Sequence, residues 1–206
     1  MNKRWITALL VLFACFFIFP LPHGQAADNS LIGLQDKIIA ECTAAIAANP
    51  NDYVSYLKRG NAYQEKRQLD EAIADCSKAI AINPEYAAAY YSRGFISHGR
   101  KKWDAAIEDY TQAIKFDPSY SQAYSNRAFC YNQKGQYDLT IADATKAIDL
   151  APKLVKWAYF HLGEAYTKKR QYDAAIATYR KAIANLSDPQ FVEMAKNRIR
   201  TLGGTV

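Results

Sequence analysis

Two periods are superposed in the apolar positions of this chain, one of a helical turn and one of 34 residues. Tyr56, Gly60 and Tyr63 recur at helical spacing, and so do Ala72, Cys76 and Ala79; residues three and four apart share one face of a helix. Shifting the chain against itself by 34 positions aligns Tyr56 with Tyr90 and Tyr124, and Gly60 with Gly94 and Ala128. It also aligns Ala72, Ala106 and Thr140, then Ala79, Ala113 and Ala147, then Pro84, Pro118 and Pro152. After Pro152 the register slips by one residue near Lys153–Lys156 and resumes with Tyr159, Gly163, Tyr166, Ala175 and Ala182. Each unit therefore predicts two amphipathic helices, and the added residue falls between helices, where it costs least.

Polar residues punctuate these helices. Asp70, Asp104, Asp138 and Asp173 stand at the start of each second helix, where a carboxylate is expected to meet unpaired N–H groups and the positive end of the dipole. Asn83-Pro84, Asp117-Pro118 and Ala151-Pro152 end it, because proline cannot donate the next helical bond. Small residues in fixed columns let the paired helices approach closely, and aromatic columns fill the space between units. Asp36–Pro50 matches Asp70–Pro84 almost position for position, so a lone second helix is expected ahead of the first whole unit. Asp188-Pro189 opens a last helix with Phe191, Ala195, Ile199 and Leu202 on one face and polar groups such as Lys196 and Arg200 on the other, the pattern of a cap on a stack.

A period of 34 carrying Tyr56-x-x-Arg59-Gly60-x-x-Tyr63, then Ala72-x-x-x-Cys76, then Pro84 resembles the tetratricopeptide repeat family. Ser97 in place of Tyr, Thr140 in place of Ala, and Ser187 in place of Pro are local departures. The resemblance implies an all-α fold: a right-handed α-solenoid of stacked helix-turn-helix repeats with a C-terminal capping helix. Its parts are a half repeat at 34–50, whole repeats at 53–86, 87–120, 121–154 and 156–187, and the cap at 188–202.

In this family the first helices line a concave groove that takes an extended peptide or a partner helix. Mapped here, the resemblance implies groove positions Leu57 and Asn61, then Tyr91, Phe95 and His98, then Phe129 and Asn132, then Trp157, Phe160 and Glu164. Aromatic residues accumulate toward the C-terminal half, and such clusters are where binding energy concentrates. With helices about 8–10 Å apart the groove spans roughly 40 Å, which at about 3.3 Å per residue suits a segment of about six to ten residues. Some relatives clamp a chaperone's C-terminal carboxylate with Lys, Asn and Arg. Here Asn61 matches one clamp position, but Leu57, Ser92, Gln122 and Asn126 occupy others, so no such clamp is expected.

A second regularity lies inside the repeat. Arg59, Arg93 and Arg127 each precede an Asp by sixteen residues, at Asp75, Asp109 and Asp143, whereas the fourth repeat has Leu162 and Thr178. Both partners vanish together, which predicts an Arg–Asp pair bridging the two helices within each of the first three repeats.

The N-terminus has a different pattern. Lys3 and Arg4 precede an apolar run from Trp5 to Phe19, closed by Pro20 and Pro22 and followed by Gly24-Gln25-Ala26. This describes a secretory signal peptide over 1–26, because the run is shorter than the roughly 20 residues of a membrane-spanning helix. The alternative is an uncleaved anchor; lipidation at Cys15 suits the pattern less, since it would leave Phe16-Phe17-Ile18-Phe19 at the new terminus. The expected compartment is the bacterial periplasm or the exterior.

Composition narrows the function classes. The net charge of +6 falls to +4 once Lys3 and Arg4 leave, too mild to argue for nucleic acid. Cys42, Cys76 and Cys130 are few, odd in number and without a CxxC arrangement, so they read as small buried apolar residues. His98 and His161 have too few neighbouring ligands for a metal site. No phosphate-cradling loop, nucleophile elbow or His-Glu-x-x-His helix occurs. The chain is expected to be no enzyme, to use no cofactor, and to bind a protein or peptide. The basic inter-helix turns Lys66-Arg67, Arg100-Lys101-Lys102, Lys134 and Lys168-Lys169-Arg170 offer the alternative of attachment to a membrane surface or another polyanion.

Overall fold

The computed structural model describes the backbone from His23 to Val206 and side chains from Gly33 onward. The expected leader lies outside the described residues over 1–22. Among the described residues there are ten α-helices and no strand. The first, α1 (His23–Ala48), is followed by four antiparallel pairs: α2 (Tyr53–Glu65) with α3 (Leu69–Ile82), α4 (Ala87–Gly99) with α5 (Trp103–Phe116), α6 (Ser121–Gln133) with α7 (Tyr137–Leu150), and α8 (Lys156–Lys168) with α9 (Tyr172–Asn185). The last helix, α10 (Pro189–Thr201), packs on α9. Each helix packs on its sequence neighbours, and α2, α4, α6 and α8 also touch one another in turn. The first helices thus form the inner face of a solenoid, and the second helices form its outer face.

Close approach within a pair is set by complementary sizes at two facing columns. Gly94 faces Tyr110 and Gly163 faces Tyr179, while the third repeat pairs Ala128 with Ala144, both fully buried. A Cβ on Gly163 would lie 2.4 Å from the Tyr179 ring, inside van der Waals contact, so glycine is required wherever the facing residue is tyrosine. Cys76 and Cys130 sit fully buried among these small residues, and burial pushes their thiols up to about 12. They behave as small apolar groups.

The turn inside each repeat has one geometry. In the first, Gln68 N–H donates to Tyr63 O and Arg67 N–H to Gln64 O, both at 2.9 Å. This is the Schellman arrangement, which places one residue in the left-handed region. That residue is Arg67, Lys101, Gly135 or Arg170 in successive repeats, with φ between 58° and 70°; only the third repeat uses the residue that adopts this conformation without steric cost.

The Arg–Asp pairs form as the sequence predicts. Arg59 Nε and Nη2 donate to Asp75 at 2.7 and 2.8 Å; Arg127 does the same with Asp143, and Arg93 Nη2 lies 2.7 Å from Asp109. Each guanidinium also donates through Nη1 to a hydroxyl of the preceding repeat, at Thr43, Ser77 and Thr111. Tyrosine rings flank it, as Tyr124 and Tyr131 flank Arg127. One side chain therefore ties three helices. Two-point geometry with buried carboxylates is the strong form of this interaction.

The aspartates that open the second helices act differently from expectation. They occupy the second helical position, and Gln68, Lys102, Gln136 and Gln171 at the caps make no side-chain capping bond. Asp36, Asp70, Asp104 and Asp138 instead accept from Lys66, Arg100, Lys134 and Lys169, the turn cations of the following repeat. The carboxylates keep their place near the positive end of the dipole in α3, α5 and α7, and the ladder pairs one cation of each turn while Arg67, Lys101, Lys102, Lys168 and Arg170 stay outside it. Side-chain caps do form at Asp52, which accepts from Val54 and Ser55 N–H, and at Asp188, which accepts from Gln190 N–H beside Pro189.

Candidate functional site

The inner face differs sharply between its two ends. Near α1 and α2 it is a more open depression of mixed lining, in which Gln35, Glu41, Lys58, Asn61 and Glu65 stand beside Ile38, Cys42 and Ala45, with no aromatic ring among them. Toward the C-terminus it closes into a more enclosed cavity of about 430 Å³ walled by Phe95, His98, Asn126, Phe129, Trp157, Phe160, His161, Glu164, Tyr179, Met194 and Arg198. That volume lies in the range of pockets that enclose a small ligand or a large side chain.

The expected groove residues divide between the two ends and the core. Leu57 is a correction: only 6% exposed, it lies in the core with Ala72, Cys76 and Ile96. Asn61 is exposed at the N-terminal end. Tyr91 is half-buried, stacked on Tyr120 at 4.7 Å, and its hydroxyl accepts from Asn126 Nδ2 at 3.1 Å. Asn132 is buried and donates to Glu164 at 2.8 Å, which orients that exposed carboxylate at the cavity. Phe95 and Trp157 stand open, at 43% and 54% exposure. Phe160 forms part of the cavity wall but is largely enclosed, 7% exposed, packed on Tyr179 and Phe191.

Ring contacts make these residues one row. Tyr91 packs on Phe95, Phe95 on His98, and His98 stacks on Phe129 at 4.6 Å. Phe129 meets His161 edge-on at 5.2 Å, and His161 lies parallel to Trp157. The row crosses from α4 through α6 to α8. Only Phe95 and Phe129 share a repeat column; Tyr91, His98, Trp157 and His161 come from neighbouring columns of the same inner stripe, which the stacking of α4, α6 and α8 brings together.

Sequence reasoning missed His161, Asn126, Tyr179, Met194 and Arg198. His161 and Asn126 belong to one repeat column with Lys58 and Ser92, a column tested for a charged clamp but not for rings. Tyr179 reaches the cavity from α9, through the space left by Gly163. Met194 and Arg198 come from α10, so the capping helix supplies a wall of the cavity as well as covering the core. Burial pulls the His161 imidazole down to about 4, helped by the nearby His98, which burial also lowers. Both rings are neutral at pH 7. Burial pushes the Tyr179 hydroxyl up to about 12, with Arg198 and Glu164 acting on it in opposite directions.

No group of His, Cys, Asp and Glu suited to a metal ion is found among the described residues, and no described helix is long and apolar enough to cross a membrane.

With this geometry in view, the chain can be placed among known proteins. Models described as tetratricopeptide repeat match residues 53–86 and 119–188, and one described as TPR repeat matches 98–135. No curated protein matches the sequence. Among solved structures, the crystal structure of MamA is similar at 28% identity and a TM-score of 0.68, covering 74% of this chain and 89% of that one. TTC0263, a thermophilic TPR protein of Thermus thermophilus, shares the fold at 18% identity and a TM-score of 0.61, over 84% and 95% of the two chains. The TPR domain of Arabidopsis OM64 is 26% identical with a TM-score of 0.51, over 57% of this chain and 96% of that domain. The chain carries tetratricopeptide repeats folded as an all-α solenoid.

Proposed function

We propose that this array of tetratricopeptide repeats is a non-catalytic docking module that holds a peptide segment or helix of a partner protein against its inner face. One observation carries this: the row of rings from Tyr91 to Trp157 ends in a cavity, with Phe95 and Trp157 left exposed there. Burying large apolar surface is the main source of affinity in such contacts, and a solvated face gains nothing from two such side chains. The N-terminal end near Asn61 contributes orientation rather than anchoring. Pairing of Lys66, Arg100, Lys134 and Lys169 with carboxylates weakens the basic turns as a continuous docking surface and so supports the groove. The basic start and apolar run at Lys3–Phe19 support an exported setting, the periplasm or the exterior, for this docking.

Selection from a random twelve-residue peptide library tests the proposal. Enriched peptides are expected to carry aromatic or long apolar residues, to lose binding to a Phe95→Ser/Trp157→Ser variant, and to keep it with Asn61→Ala. Peptides that bind the double variant as well as the native chain would place docking elsewhere.

A further inference from the structure

Among the polar groups that line the aromatic cavity, the His161 ring, the Tyr179 hydroxyl and the Arg198 guanidinium have no hydrogen-bond partner found among the described residues, and of these only His161 stands within the row of rings. His161 is wedged between the Phe129 and Trp157 rings and lines the cavity. His98 Nδ1 lies 3.4 Å from the Tyr110 hydroxyl, Asn126 is committed to Tyr91, and Glu164 accepts from Asn132. For His161 no hydrogen-bond partner is found among the described residues. The His161 ring is only partly buried and its nitrogens are not sealed from solvent, so on the cavity side they are open to a ligand's polar hydrogen, which leucine or phenylalanine at this place could not meet.

The charged and titratable groups around it are His98 from α4, Glu164 from α8, Tyr179 from α9 and Arg198 from α10; α6 offers only Asn126 and Phe129. None of these carboxylates or cations is bonded to His161, and burial keeps its ring neutral. A neutral imidazole presents one acceptor nitrogen and one donor N–H. The surrounding faces accept a flat apolar body, because rings prefer offset or edge-on contacts with other rings.

Resting on the docking function above, we propose that the cavity takes one aromatic side chain of the ligand that bears a polar hydrogen, tyrosine or tryptophan, and that His161 accepts that hydrogen. The cavity is thereby selective for tyrosine over phenylalanine, which a purely apolar pocket would not favour. Sites built to hydrogen-bond a hydroxyl discriminate against the analogue lacking it because their own polar group is left unpaired.

Titration of the full chain with N-acetyltyrosinamide and with N-acetylphenylalaninamide, followed through the Trp157 indole NMR signal, tests this without knowledge of the natural partner. The tyrosine amide is expected to bind roughly three- to tenfold more tightly, the effect of one neutral hydrogen bond. In His161→Phe the ratio is expected to fall to about one, and in His161→Gln, which keeps hydrogen-bonding capacity, to recover in part. Circular dichroism of both variants verifies that the helices persist. Equal binding of the two amides to the native chain would overturn the proposal while leaving peptide docking intact. So would a Trp157 signal that neither amide moves; the library selection judges docking separately.

Discussion

The first three repeats and the fourth build the same helix pair with different chemistry. In the first three, a guanidinium crosses from the first helix to a buried carboxylate and on to the preceding repeat's hydroxyl. In the fourth, Leu162 and Thr178 occupy those places, both nearly fully enclosed, and the Thr178 hydroxyl turns back to Ala174 O within its own helix. Tyr159 in the fourth repeat is wholly buried, whereas Tyr56, Tyr90 and Tyr124 at the same column are partly exposed over the arginines. The backbone geometry therefore does not depend on the ion pair. What the ion pair adds is a tie between repeats, and what replaces it is a continuous apolar mass shared by α8, α9 and α10, against which the cavity is formed.

The strongest break of this comparison is to remove half of one tie. Asp109→Ala leaves the partly exposed Arg93 guanidinium without its counter-charge, and is expected to cost about 3 kcal/mol in denaturant unfolding. Replacing both partners as the fourth repeat does, with Arg93→Leu and Asp109→Thr together, is expected to cost less than either change alone. A double variant as unstable as the two single losses combined would show that the two chemistries are not interchangeable.

Acid distinguishes the two regions next. His161 is lowered in the folded state, so between its unfolded value near 6.5 and about 4 the unfolded chain binds more protons. The stability conferred by keeping it neutral is complete above pH 6.5 and falls as pH drops toward 4, by roughly 3 kcal/mol at most. His161→Phe is expected to flatten that part of the stability profile relative to the native chain. An unchanged slope would mean that burial does not hold the ring neutral.

Packing supplies the next effect. Gly163→Ala is expected to cost about 2 kcal/mol, since the new methyl meets the enclosed Tyr179 ring. Gly60→Ala, whose nearest contacts lie at 3.2–3.4 Å, costs less in the same thermal unfolding assay. Tyr159→Phe works in the opposite direction: the hydroxyl is buried without a protein partner among the described residues, so its removal is expected to add about 1 kcal/mol.

The helices, their pairing and the Arg–Asp ties were legible because each repeats, and the ties because both partners disappear together at Leu162 and Thr178. The ladder from Asp70 to Arg100 was hidden because an aspartate two residues into a helix looks like a cap. Leu57 lies in the core rather than the groove, and Phe160 walls the cavity while largely enclosed, because a first helix buries part of its inner stripe against its neighbour and spacing alone does not separate core from groove. The residue at the left-handed turn position was invisible, since Arg67, Lys101 and Arg170 stand where glycine would signal it. Arg198 and Met194 needed the position of α10, which no repeat column provides.

Amide hydrogen exchange on the full chain, with and without a library-selected peptide, tests the central claim most directly. Ligand-induced protection is expected in α6, α8 and α10 around Phe129, Trp157–Glu164 and Met194–Arg198, with α1 and α2 unchanged. Protection confined to α1 and α2, or to the basic turns at Lys101 and Lys168, would contradict an aromatic docking site at the C-terminal end of the solenoid.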